Sequence, residues 1–223
     1  GTDYTVSYSK NTAIGQASVK ITGKGLYKGT KTVNFNIRPA TVTELKVSST
    51  GEKSVKLSWK KVVGADSYAV YRYDSTSKKW QRIKTVKAAS YTDSGLARAK
   101  GYSYKVKAVK VSGGKEYISA DYSKAVEAVT KPAKASCTAK SAGSGSIEVS
   151  WKAVGGASGY EIYSSSNGSD YVKSAKVGGS QKSAIVSGFE PYSLRMVKMR
   201  AYKTVNGKTS YGAFSQAVMV IVR

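Results

Sequence analysis

The sequence predicts an all-β protein, and three observations carry that prediction. Apolar residues alternate with polar ones over short runs, the pattern of half-buried strands. Glycine-bearing turn words separate the runs. A block of about ninety residues then occurs twice, and Tyr, Val, Thr and Ser dominate both copies. No stretch holds a helical period of 3.6 for long.

The first elements are short. Tyr4 to Ser9 alternates Tyr, Val and Tyr with polar residues. Ala17 to Thr22 sets Val19 and Ile21 two apart, and Lys31 to Ile37 sets Val33, Phe35 and Ile37 two apart. Ile14-Gly15-Gln16 and Gly23-Lys24-Gly25 supply the turns. The repeat follows. Ser54 to Tyr71, centred on Trp59, matches Ser146 to Tyr163, centred on Trp151, without a gap. Ser123, Ala125 and Val126 match Ser215, Ala217 and Val218 at the same offset of 92 positions. Pro39 and Pro132 each open a copy, as suits a residue that cannot donate to a sheet ladder. The expected parts are a β segment over 1–38 and two homologous modules over 39–131 and 132–223. Each module is long enough for one modest core.

Composition narrows the chemistry. The chain of 223 residues has a formal charge of +24, no His and one Cys, Cys137. Without His there is no Ser–His–Asp or Cys–His catalysis. One Cys builds neither a cysteine-rich zinc site nor an internal disulfide. No paired-carboxylate motif stands out among the thirteen acids, and no phosphate-binding loop precedes a helix. We therefore expect no enzyme, no cofactor and no metal. No run of about 18 apolar residues could span a membrane. The chain opens in a strand-like pattern with no visible signal peptide, as a fragment of a longer protein would.

Each copy resembles a fibronectin type III domain. The carrying residues are Trp59 and Trp151, the words Tyr68-x-Val70-Tyr71 and Tyr160-x-Ile162-Tyr163, and the late block Leu96, Tyr102, Tyr104, Val106 and Ala108. The resemblance implies a seven-stranded β-sandwich with the Trp between its sheets and Tyr102 as a tyrosine corner. In the second copy Arg195 falls at the corner position and Phe189 replaces Leu96. Either the corner is missing there or Tyr192 reaches round to substitute, and that end is expected to be looser. Residues 1–38 resemble the C-terminal half of a bacterial immunoglobulin-like repeat, through Asp3-Tyr4-x-Val6-x-Tyr8 and Ile21-x-Gly23-x-Gly25-x-Tyr27. Three short strands are marginal alone. The segment is expected to pack on the first module, or to pair its open edge with another protein chain.

A candidate face follows from strand alternation. If Ile83 points inward, Trp80, Arg82 and Lys84 point outward. Tyr71, Tyr73, Lys105 and Lys107 then join Trp80 and Arg82 on one sheet. Tyr163, Lys198 and Arg200 repeat the face more thinly, and Glu161 beside them dilutes its charge. Such a face either binds a ligand or covers its own sheet. Trp59 and Trp151 are read as core, Cys137 as a small buried residue, and Asn167-Gly168-Ser169, Asn206-Gly207 and Gly113-Gly114 as turns.

The function expected is a non-catalytic spacer or interaction region of a larger bacterial protein, extracellular or at the cell surface. The alternative is binding of an anionic polymer, or of a cell-wall or host glycan, through the basic aromatic face. No nucleic-acid motif accompanies the charge, so no specific nucleic-acid partner is expected.

Overall fold

A computed structural model describes residues 3–223; Gly1 and Thr2 of the N-terminal segment lie outside the described residues. No helix occurs among the described residues, so none crosses a membrane. The strand pattern expected over 1–38 is present. Strands β1 (Tyr4–Ser9), β2 (Gly15–Gly23) and β3 (Thr30–Ile37) form an antiparallel sheet in that order. Val6 faces Ile21 and Tyr8 faces Val19, which faces Val33 in turn. The apolar side chains thus share one face, much of it exposed.

The first repeat copy contributes β4 (Lys46–Thr50), β5 (Ser54–Ser58), β6 (Ser67–Asp74), β7 (Lys79–Val86), β8 (Ser90–Ser94), β9 (Gly101–Ser112), β10 (Lys115–Ile118) and β11 (Val126–Val129). They form a three-stranded sheet β4-β5-β8 and a sheet β10-β9-β6-β7, with β11 also on β9. The second copy contributes β12 (Cys137–Ser141), β13 (Ser146–Trp151), β14 (Gly159–Ser165), β15 (Val172–Gly178), β16 (Ser183–Ser187), β17 (Leu194–Val205), β18 (Lys208–Tyr211) and β19 (Val218–Ile221). Its sheets are β12-β13-β16 and β15-β14-β17-β18, with β19 on β17. The two copies therefore have the same strand order.

The chain forms two compact units. One comprises Gly1–Val47, Leu57–Tyr91 and Ser103–Val126; the other comprises Ser48–Lys56, Thr92–Tyr102 and Glu127–Arg223. In the first unit Trp59 is buried edge-on to Tyr68, with ring centroids 5.3 Å apart. Tyr68 Oη accepts from the Val62 amide at 2.8 Å, so the buried phenol keeps a partner. In the second unit Ile147, Val149 and Trp151 pack with Tyr160, Ile162, Val197, Met199 and Ala201 in one core, and every member comes from the second copy. Tyr160 Oη accepts from the Val154 amide at 2.8 Å, the counterpart of the Tyr68 bond. The indole Nε1 of each Trp is buried without an acceptor, which shows how far burial of the ring outweighs that lost bond.

The two corners differ. Tyr102 Oη accepts from the Ala97 amide at 2.9 Å, the tie the resemblance implies. In the second copy the Arg195 guanidinium lies over the Phe189 ring, 5.0 Å from its centre, and Arg195 Nε is buried without a partner. Tyr192 does not substitute for the missing corner: its side chain is exposed, and its φ of 59° leaves it in a left-handed turn. The expected turns hold. Gly113 and Gly114 (φ 56° and 74°) and Asn206 and Gly207 (φ 48° and 76°) close matching hairpins. The Asn167 side chain likewise closes its turn, accepting from the Ser169 and Asp170 amides. Cys137 is half-buried at the start of β12, its Sγ 3.5 Å from Ser215 Oγ, and burial pushes the thiol above its ordinary pKa.

Two stacked basic and aromatic faces

The candidate face assembles in the first copy because β6 pairs with both β7 and β9. Tyr71 stands opposite Arg82 on one side and Lys105 on the other, and Tyr73 stands opposite Trp80. The Tyr73 and Trp80 rings lie 5.4 Å apart. Lys105 Nζ sits 4.5 Å from the Trp80 ring centre. One alternation fails: the register shifts after Val70, so Lys84 stands opposite Val70 rather than in the Tyr71–Arg82 row.

Sequence reasoning missed the residue that binds this face together. Tyr122 lies between β10 and β11. Its ring meets Tyr71 edge-on at 4.9 Å and takes Lys105 and Lys107 at 5.4 and 4.3 Å from its centre. Two serine hydroxyls hold that segment in place: Ser119 accepts from the Ala108 amide and Ser123 from the Val106 amide. Lys107 also donates to the Ala120 carbonyl at 2.8 Å. Arg82 is not a free cation either, since it donates to both oxygens of Glu116 at 3.0 and 3.1 Å. This bidentate pairing holds the Glu116 carboxyl below the usual carboxylate range.

The second copy repeats the arrangement more densely than the sequence led us to expect. Phe214 occupies the place of Tyr122, and Ser215 accepts from the Met199 amide as Ser123 does from Val106. Lys198 Nζ lies 3.6 Å from the Tyr171 ring centre and 4.8 Å from that of Phe214. The Arg200 guanidinium lies 4.0, 4.9 and 5.5 Å from the ring centres of Tyr211, Phe214 and Tyr163. Glu161 was expected to sit beside this face and dilute its charge. It is instead buried beneath it, with its side chain 1% exposed. Arg200 donates to it at 2.8 and 3.0 Å, Lys173 at 3.0 Å and the Tyr163 hydroxyl at 3.1 Å. Burial pushes the Glu161 carboxyl up, but these donors outweigh it and the acid ends below the usual range.

One signal could have found the missing rings. An aromatic residue immediately precedes each of the repeated serines, Ser123 and Ser215. Eight of the nine expected face residues lie in two ring-and-cation stacks, one in each copy, and Arg82 borders the first through its pair with Glu116. Chemically, these stacks offer flat ring edges and partly neutralised cations, with no acid poised for proton transfer. A separate open depression of about 630 Å³ lies on the N-terminal sheet, lined by Tyr4, Ile21, Tyr27 and neighbours, and none of the face residues reaches it.

No family model matches the chain. A poly(3-hydroxybutyrate) depolymerase of Ralstonia pickettii is 43% identical over 100 residues, which are 45% of this chain and 18% of that protein. The match thus spans less than a fifth of the depolymerase. Among solved structures, a two-domain fibronectin type III segment of chicken tenascin is 18% identical, with a TM-score of 0.48, over 82% of this chain and 98% of that one. The FN1–FN3 domains of chicken CNTN1 are also 18% identical, with a TM-score of 0.42, over 93% and 77%. The repeated strand order, with a buried Trp against a tyrosine in each copy, makes the chain a tandem of two β-sandwiches preceded by a short β segment, the fold that the resemblance to fibronectin type III domains implies.

Proposed function

We propose that the chain is a non-catalytic spacer and interaction region of a larger secreted bacterial protein, with modules at 39–131 and 132–223 and a partial immunoglobulin-like segment at 1–38. The observation that carries this reading is the self-sufficiency of the two stacked faces. Their cations are stacked on rings or paired with carboxylates of the same copy. Cross-strand pairs of this kind stabilise a sheet without any ligand. The match to a short part of a depolymerase supports a place beside a catalytic domain, in a protein that acts outside the cell on a polymer.

A second reading is favoured by one observation. Thirteen acids face thirty-seven Lys and Arg, and several of the acids are already held in ion pairs. The surplus charge attracts anionic polymers, and Tyr73 and Trp80 could stack on a glycan at the margin of the first face.

One experiment separates the two. Retention of the chain on heparin and on neutral glycans is compared at low and high salt, with and without Trp80→Ala. A spacer shows retention that disappears with salt and ignores the substitution. Retention that survives salt and needs Trp80 establishes the second reading in its place. Release of soluble product from poly(3-hydroxybutyrate) above the buffer rate would overturn the non-catalytic assignment.

A further inference from the structure

Each repeat copy approaches the segment before it through the same two positions. One is the glycine of the loop that follows the buried Trp; the other is the last residue of the long strand β9 or β17. In the first unit, a Cβ on Gly64 would come within 2.9 Å of Ile14 Cδ1, and a Cβ on Gly15 within 3.2 Å of Ser112 Oγ. In the second unit, a Cβ on Gly156 would come within 3.1 Å of the Ala99 methyl, and a Cβ on Gly101 within 2.9 Å of Val205 Cγ1. Gly156 is the repeat equivalent of Gly64, and Val205 ends β17 as Ser112 ends β9. The hairpin tip adds polar ties, since Asn206 Nδ2 donates to Glu127 Oε1 and Lys208 Nζ to the Glu127 carbonyl, both at 3.1 Å.

The surface that receives these contacts in the first copy has a counterpart in the second, and its chemistry is different. Ala99 and Tyr192 occupy equivalent turns, each at positive φ (48° and 59°). Gly101 and Leu194 each begin the long strand. Glu127 and Met219 are each second in the strand paired with it, and Val129 and Ile221 each end that strand. In the first copy Ala99 and Val129 are 5% and 6% exposed. In the second, Tyr192, Leu194, Met219 and Ile221 are 84%, 45%, 65% and 61% exposed. Leu194 stands directly opposite Ile221 and Met196 opposite Met219, so the apolar side chains are neighbours in register.

We propose that this apolar end of the second copy is the seat of a further β-sandwich module, joined through Arg223 in the same polypeptide. The incoming module would use the same loop glycine and hairpin tip. Leu194 and Met219 stand where Gly101 and Glu127 stand, so its tip must be smaller and less polar than the Val205–Lys208 tip. Exposed clusters of large apolar side chains mark such contacts. The proposal rests on the spacer reading, which it extends from two modules to a longer series.

Peroxide oxidation of Met219, read by mass spectrometry, tests it. The 223-residue chain is compared with a chain extended after Arg223 by a second copy of residues 132–223. That appended copy carries Val205→Ala and Lys208→Leu to fit the seat, and Met219→Leu so that a single Met219 is read. Docking slows oxidation of Met219 by about tenfold, as a contact closed nine-tenths of the time would. Buried Met199 serves as the internal reference. An appended copy with Val205→Asp instead restores the original rate. Unchanged oxidation in the extended chain, or protection that persists with Val205→Asp, would overturn the seat but leave the spacer reading standing. Protection of Met219 in the unextended chain as its concentration rises would overturn the same-polypeptide source, because a second molecule would then be the occupant.

Discussion

The two outer faces solve one problem with different chemistry. Each must cover a sheet whose strands carry lysines and arginines. The first copy neutralises Arg82 with Glu116 at the solvent margin, where the side chains are 32% and 44% exposed. The second buries Glu161 beneath Arg200, where they are 1% and 23% exposed. Both use a ring between the hairpin and the final strand, Tyr122 or Phe214, as the piece against which cations stack. A repeat can therefore hold its core constant while an acid moves from the rim to the floor of the outer face. The energetic consequences differ greatly, because an ion pair at the surface is screened and a buried carboxylate depends on its partners.

The largest expected effect tests that difference directly. Glu161→Ala leaves Arg200 facing a cavity without its carboxylate and should cost the second copy about 3 kcal/mol. Glu116→Ala should cost the first copy under about 1 kcal/mol. Urea unfolding, with hydrogen exchange resolved over 54–129 and 146–221, measures both; equal losses would erase the contrast.

Acid sharpens the comparison next. The folded-state pKa of Glu161 lies below its ordinary value of about 4.5. Its contribution is therefore full above that value and fades as pH falls through the lower folded value. The second copy should lose stability below about pH 4.5 in the native chain, and the Glu161→Gln chain should lose less over the same interval. A thermal melt series from pH 6 to pH 2.5 checks this, and parallel curves for the two chains would count against it.

The corners give a smaller effect of opposite sign. Tyr102→Phe removes the bond to the Ala97 amide and should cost about 1 kcal/mol. Arg195→Met removes a buried donor that has no partner, keeps an apolar stem over Phe189, and should stabilise the second copy by about 1 kcal/mol. Denaturation midpoints of the two variants should move in opposite directions. The smallest effect concerns the stacks. Lys198→Ala, with its ammonium 3.6 Å from a ring centre, should cost more than Lys105→Ala at 4.5 Å, both within about 1 kcal/mol. A double-mutant cycle of Lys198 with Tyr171 reads the difference.

Most of the fold was legible. Trp59 and Trp151 were recognisable as core because alternation and residue size are local properties of a strand. Tyr102 was recognisable as a corner through the resemblance to fibronectin type III domains. The missed features share one cause. Tyr122 and Phe214 lie in segments without strand periodicity, and serine-to-backbone bonds bring them over the sheet. Lys84 left the expected row because a bulge breaks the period of two, and no count along the chain reveals a bulge. The same shift recurs between Ile162 and Tyr163, so it belongs to the repeat and not to one copy.

The sequence by itself determined that the chain is all-β, that it repeats, which rings fill the cores, and that no histidine chemistry operates. These follow from alternation, offset and composition, which need no knowledge of what lies across a sheet. Only the tertiary structure decided that Glu161 is buried rather than diluting a surface, that Tyr122 and Phe214 close the two faces, and that Tyr192 stays outside. Each of those outcomes depends on partners from distant strands, and the balance between desolvating a group and pairing it is set only when those strands meet.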